Sequence, residues 1–144
     1  MANVKEIVAF LQKVPMFQNL KTRQLENLAK RMVERHYKKE ATIVTQGQGG
    51  EGFFLVITGK AQAVRRRADG ENVVVNTFGS GDFFGELALL DDGPRTATIQ
   101  ALEETTCIVL VRWDFLAVLS EDADMAVISL QEMAHRFRTA LDSM

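Results

Sequence analysis

From Val33 to Val111 the chain runs as short stretches rich in Val, Ile, Phe and Thr, cut at close intervals by glycine-bearing turns. The turns stand at Gly47 to Gly52, Gly59-Lys60, Asp69-Gly70, Gly79 to Gly81 and Asp91 to Pro94. Asp69-Gly70 is a strong hairpin signal, because tight hairpin turns need positive φ. Seven or eight short strands with regular turns point to a closed or rolled antiparallel sheet. Only Glu86 to Leu90 interrupts this block with helical character. Outside it the helical period takes over. Residues 3–13 read as an amphipathic helix that Val14-Pro15 closes, and a second helix runs from Thr22, an N-cap candidate, to about Met32. After Trp113 come a short helix over 114–119 and a longer one over 124–141. The expected fold is mainly β with flanking helices: an antiparallel β-roll or jelly roll, two N-terminal helices, a short inner helix and two C-terminal helices.

At 144 residues the chain has the length of one ordinary domain. We expect a single domain over 1–144, with helices in 3–32, a β-roll in 33–112 and C-terminal helices in 113–142. A hydrophobic share of 47% and a charged share of 25% are those of a soluble globular protein. No apolar run exceeds five residues, so no span of a membrane is expected. The N-terminus lacks the pattern of a signal peptide, since Gln12 and Lys13 break its apolar stretch. One cysteine excludes an internal disulfide framework and suits a reducing, cytoplasmic setting. The net charge of -2 argues against nucleic acid as the main partner, because duplex binding needs clustered Lys and Arg.

Chemistry concentrates between Phe83 and Ala101, in Phe-Phe-Gly-Glu-Leu-Ala-Leu-Leu-Asp-Asp-Gly-Pro-Arg-Thr-Ala-Thr-Ile-Gln-Ala. Gly85 permits a close backbone approach that a Cβ would obstruct. The turn that follows opens with backbone N–H groups lacking intrahelical partners, which attract anions. Arg95, nine residues beyond Glu86, can grip a phosphate with a two-pronged fork. Glu86 is acceptor-only when ionised, so it suits a sugar hydroxyl and repels a phosphate. A phosphate end beside a ribose end describes a nucleotide site.

This stretch resembles the phosphate-binding cassette of cyclic nucleotide-binding domains, the sensor modules of cyclic-AMP- and cyclic-GMP-dependent kinases, gated ion channels and bacterial catabolite regulators. The likeness extends to Val14-Pro15-Met16-Phe17, to Gln46-Gly47 in the first hairpin, to Phe53–Gly59, to Gly79–Asp82 and to Asp114-Phe115-Leu116. It spans about residues 10 to 140, with the cassette at 83–98. The resemblance implies cyclic AMP or cyclic GMP as ligand. It assigns backbone and ribose contacts to Gly85, Glu86, Leu87 and Ala88, the phosphate to Arg95, and further contacts to Thr96 and Ala97. A hydroxyl at Thr96 permits contact with a guanine amino group without requiring it, so base choice stays open. The resemblance also implies that the last helix closes over the ligand and relays the signal, with Arg136 or Arg138 reaching the base.

Other features have plainer readings. Gly47 to Gly52 satisfies G-x-G-x-x-G, but a strand follows it, so we read a flexible hairpin turn and not a dinucleotide site. No loop ending in Gly-Lys-Ser/Thr is present. Arg65-Arg66-Arg67 reads as a solvated hairpin tip, and Cys107 as a small core residue. His36 and His135 are too few for a metal site. The stripe Leu130, Met133 or Ala134, Phe137 and Leu141 fits plain packing, a lid, or the seam of a homodimer through the C-terminal helix. The expectation is a cytosolic sensor of a cyclic mononucleotide that catalyses nothing and uses no metal or cofactor. Its output passes through an unknown downstream protein or through self-association. A ligand-free interaction module that retains the β-roll is the alternative, and a cyclic-nucleotide hydrolase or lyase the third.

Overall fold

The computed structural model describes residues 2–49 and 51–144, and Gly50 of the 47–52 motif falls outside them. The chain divides into a sheet unit, residues 32–112, and a helical unit made of residues 1–31 and 113–144.

The sheet unit holds eight strands among the described residues: β1 Val33–Tyr37, β2 Thr42–Val44, β3 Gly52–Thr58, β4 Ala61–Arg66, β5 Asn72–Phe78, β6 Phe83–Phe84, β7 Thr98–Ala101 and β8 Thr105–Val111. They form two four-stranded antiparallel sheets, ordered β1-β8-β3-β6 and β2-β7-β4-β5. Of the consecutive strands only β4 and β5 pair, around the turn where the Gly70 N–H donates to the Arg67 carbonyl. Every other connection switches sheets. The expected mainly-β roll is what the residues build.

One expectation fails here. Gln46-Gly47 was to close a first hairpin, yet β2 and β3 lie in different sheets and do not pair. The segment is a crossover. Gly52 closes it: with φ +153° it leaves no room for a Cβ, which would run into the Leu110 carbonyl of the paired strand.

The core follows strand alternation. Phe54, Val56, Cys107 and Val109 form one buried row and meet Ala61, Ala63, Phe78, Phe84 and Ile99. Phe54 and Phe84 are register partners with stacked rings, centroids 5.0 Å apart. The opposite row, Phe53, Leu55, Ile108 and Leu110, is also buried, which is why β3 and β8 read as unbroken apolar runs.

In the helical unit α1 spans Val4–Leu11, α2 Thr22–Arg31, α3 Arg112–Glu121 (its first residue belonging to the sheet unit) and α4 Ala123–Asp142. The first helix stops at Leu11, earlier than expected. Pro15 bars Val14 from the helical region, and the chain tightens ahead of it into i→i−3 bonds at Lys13 and Val14. Thr22 is the first helical residue and not the cap. The Lys21 N–H instead finds the Gln24 side-chain carbonyl at 2.9 Å. Fully buried Gln24 also donates to Asp124 at 3.0 Å and to Asp122, whose other oxygen caps α4 at Met125 N–H.

Burial pushes the Cys107 thiol up to about 12 from an ordinary 9, so only the unfolded chain ionises it between those pH values. Stability from this group is therefore complete below about pH 9 and falls as pH rises towards 12. A disulfide reagent at pH 8 is expected to leave the native protein unmodified and to titrate one thiol in denaturant. Prompt reaction of the native protein would contradict the buried placement.

Candidate functional site

Strand β6 delivers the chain to Gly85, whose left-handed φ of +86° turns it sharply into a four-residue 3-10 helix, Glu86–Leu89. Leu89 is fully buried and anchors this turn. The expected inner helix is thus present in its tighter form, which suits a piece this short. Gly85 is required for a reason the sequence did not disclose. A Cβ there would strike the Gly52 carbonyl and the Arg95 guanidinium, both parts of the protein itself.

Arg95 is fixed from two directions. Its N–H donates to the Gln48 carbonyl at 2.9 Å and its own carbonyl accepts from Gly47 N–H at 2.8 Å, with a β-bridge between Gly49 and Pro94 beside them. The crossover after β2 therefore straps the arginine's backbone in place. Its side chain passes inward, donates from Nη2 to the Gly52 carbonyl at 2.8 Å, and lies 6.0 Å from the Phe54 ring centroid. The Nε–H is buried and has no hydrogen-bond partner. Burial holds the Arg95 pKa below the usual guanidinium range, while the carboxylates of Glu51 and Glu86 partly offset that. Glu51 in turn forms an ion pair with Arg35, and the hydrogen bond between them raises the Arg35 pKa. A half-buried guanidinium with one buried N–H that lacks an acceptor is a favourable neighbour for an anion.

The space beside it can take one. A cavity of about 580 Å³, within the size range of small-molecule sites, opens entirely within the sheet unit. Gly85, Glu86, Leu87 and Ala88 line one side and Arg95, Thr96 and Ala97 another, so all seven expected residues meet around one space. Val44, Ala63, Phe78, Phe84 and Ile99 supply an apolar wall suited to a ring system. The Ala88 N–H is already donated to the Gly85 carbonyl at 3.0 Å, which leaves its contact to the carbon side chain.

The cavity also contains residues that sequence reasoning passed over. Val75 and Asn76 of β5 line it, and so does Arg65. Arg65 does not belong to a merely solvated tip: its Nε–H donates to the Thr96 carbonyl at 3.2 Å. Period-two alternation from buried Ala63 was the available signal, since residues i and i+2 of a strand share a face. Among the described residues no cluster of three or more His, Cys, Asp or Glu is arranged to hold a metal ion, and no helix is long and apolar enough to cross a membrane.

Comparison with known proteins agrees with this geometry. The family model for the cyclic nucleotide-binding domain matches residues 34–122, well over half of the chain. The cAMP-dependent protein kinase regulatory subunit of Mycosarcoma maydis is 32% identical over 125 residues, which are 87% of this chain and 21% of that protein. A cGMP-dependent protein kinase of Drosophila melanogaster is 34% identical over 131 residues, 89% of this chain and 13% of the kinase. The chain thus spans about a fifth or less of these two relatives. The N-terminal domain of a transcriptional regulator from Streptomyces coelicolor A3(2) superposes with a TM-score of 0.86 at 31% identity, covering 94% of each chain. With the cassette, the roll and these likenesses together, the chain belongs to the cyclic nucleotide-binding domain family.

Proposed function

We propose that this protein is a cytosolic sensor that binds cyclic AMP or cyclic GMP in the 580 Å³ cavity and that residues 1–144 act together as one cyclic nucleotide-binding domain. The observation that carries the reading is Arg95, a half-buried guanidinium that lines that cavity and whose buried Nε–H has no acceptor within the protein. In this reading the cyclic phosphate takes the spare donors of Arg95 and the amides that open the Glu86 turn. Glu86 accepts from the ribose 2′-hydroxyl, Gly85, Leu87 and Ala88 shape the ribose seat, and Thr96 and Ala97 border the phosphate and base. The apolar wall receives the purine.

In this reading the nucleotide is bound and released intact, and Glu86 acts only as a hydrogen-bond acceptor. At about 0.3–0.4 kcal/mol per non-hydrogen atom, a ligand of about twenty such atoms gains about 6–9 kcal/mol, which is an affinity of micromolar order. Signal output is a population shift in which the ligand favours one arrangement of α4, by no more than its differential affinity for the two states. A downstream protein or a second copy of the chain reads that arrangement.

The second copy has a specific surface to use. Val127, Leu130, Ala134, Phe137 and Leu141 recur on α4 at alternating three- and four-residue intervals, the spacing of a coiled-coil seam. Leu130 and Phe137 are 70% and 66% exposed, whereas Ser129 and Glu132 occupy the buried face. Packing within the chain therefore does not account for the stripe. A self-complementary seam does, through a two-fold axis.

Two outcomes are expected. In calorimetry with cyclic AMP and cyclic GMP, Arg95→Ala should weaken binding tenfold or more, since a hydrogen bond to a charged group contributes about 1.5–3 kcal/mol. The ligand-free melt should stay nearly unchanged, because losing the Gly52 bond and removing an unsatisfied buried donor act in opposite directions. Flat titrations of the wild-type protein with both nucleotides would retire the sensor reading in favour of the ligand-free module. In sedimentation the wild-type protein should be a dimer and Leu130→Glu with Phe137→Glu a folded monomer. A wild-type monomer at high micromolar concentration would refute the seam.

A further inference from the structure

Among the described residues, Arg65 is the one cavity-lining cation that the phosphate and ribose contacts leave without a task. Its position is built and not incidental. Along β4, Ala63 sits at the buried wall and Arg65 stands two residues on, on the same face and exposed. The neighbouring Arg66 is clamped through its backbone: Arg66 N–H donates to the Gln46 side-chain carbonyl at 2.7 Å, and the Gln46 amide donates back to the Arg66 carbonyl at 3.1 Å. Gln46 thereby extends the sheet by one side-chain rung and fixes the strand end that carries Arg65. The Arg65 Nε–H is committed to the Thr96 carbonyl at 3.2 Å, which sets the plane of the guanidinium beside the residue that follows Arg95. An arginine bears five N–H donors in a rigid fork, so the four on its two terminal nitrogens remain for a ligand.

Position and chemistry together decide what that fork reads. The anion seat belongs to Arg95 and the Gly85 bend, and next to Arg65 the wall is formed by Ala63, Val75 and Asn76, a surface for a flat ring and its edge. Paired donors match paired acceptors. Guanine offers O6 and N7 side by side, whereas adenine offers N7 next to an amino donor that opposes the fork. Resting on the reading of the cavity as a cyclic-nucleotide site, we infer that Arg65 is a specificity-determining residue whose fork, held by the Thr96 carbonyl, engages O6 and N7 of a guanine base, so that the site prefers cyclic GMP to cyclic AMP. A correct bidentate contact of this type discriminates roughly ten- to a hundredfold against the wrong base.

Calorimetry with cyclic GMP, cyclic AMP and cyclic inosine monophosphate, on the wild type, Arg65→Ala and Arg65→Lys, tests this. Cyclic inosine monophosphate keeps O6 and N7 but lacks the guanine amino group, so it isolates the edge assigned to Arg65. The wild type should bind cyclic GMP and the inosine analogue at least tenfold more tightly than cyclic AMP. Arg65→Ala should abolish that preference while changing cyclic AMP affinity less than twofold. Arg65→Lys, which keeps the charge and loses the fork, should recover little of it. Because Arg65 is exposed, the melts of both variants should match the wild type. An equal loss for all three ligands in Arg65→Ala, or a wild-type preference for cyclic AMP, overturns the inference while leaving the cyclic-nucleotide reading intact. Binding of none of the three by the wild type overturns that reading, and the inference falls with it.

Discussion

A half-buried positive charge that its own protein only partly satisfies organises the sheet unit. Arg95 donates to the Gly52 carbonyl, lies near the face of Phe54, and keeps one buried N–H without a partner. Leaving a charged donor dry and unpaired is costly, so the surrounding chain must over-determine its position. Gly85 removes the one side chain that would collide with the guanidinium, and the backbone bonds of residues 47 and 48 hold the arginine from outside. With Glu51 tied to Arg35, one of the two carboxylates that act on Arg95 is already shared. In the proposed reading, the guanidinium stays ready for an anion from solution.

The sheet-switching path of the chain is what makes such a place possible. Residues 46–49 with the start of β3 are far in sequence from the β6 turn and the run into β7, yet the roll brings the two stretches to one spot. A plain meander would leave each of these turns at a separate sheet end. Here Gly52 lies against the cassette glycine, so close that a Cβ on Gly85 would strike the Gly52 carbonyl. The two sheets supply the apolar wall of the cavity through Val44, Ala63, Phe84 and Ile99.

How much of this could be read in advance follows from how local each signal is. The cassette lies in one continuous run, so Gly85, Glu86 and Arg95 were legible by type and spacing, Leu87, Ala88, Thr96 and Ala97 through the family resemblance, and all seven line the cavity. The β-roll was legible too, from run length and turn density. What escaped depends on pairing between distant segments. Glycines at 47–52 signal a turn but not whether the flanking strands pair, and the hairpin reading failed there. Arg65 looked like part of a charged tip, because its role emerges only when β4 is laid against the Thr96 carbonyl 31 residues away. The α4 stripe had the opposite ambiguity: its period was plain, but only its exposure separates packing inside the chain from packing against another.

The central claim concerns one N–H group, and nitrogen-edited NMR of the arginine side chains observes it directly. On titration with cyclic GMP, the Arg95 Nε–H resonance should move downfield and its exchange with water should slow, as the buried donor acquires a phosphate oxygen. Backbone amides of Gly85 and Glu86 responding to the nucleotide while Arg95 Nε–H keeps its free position and exchange rate would contradict the account.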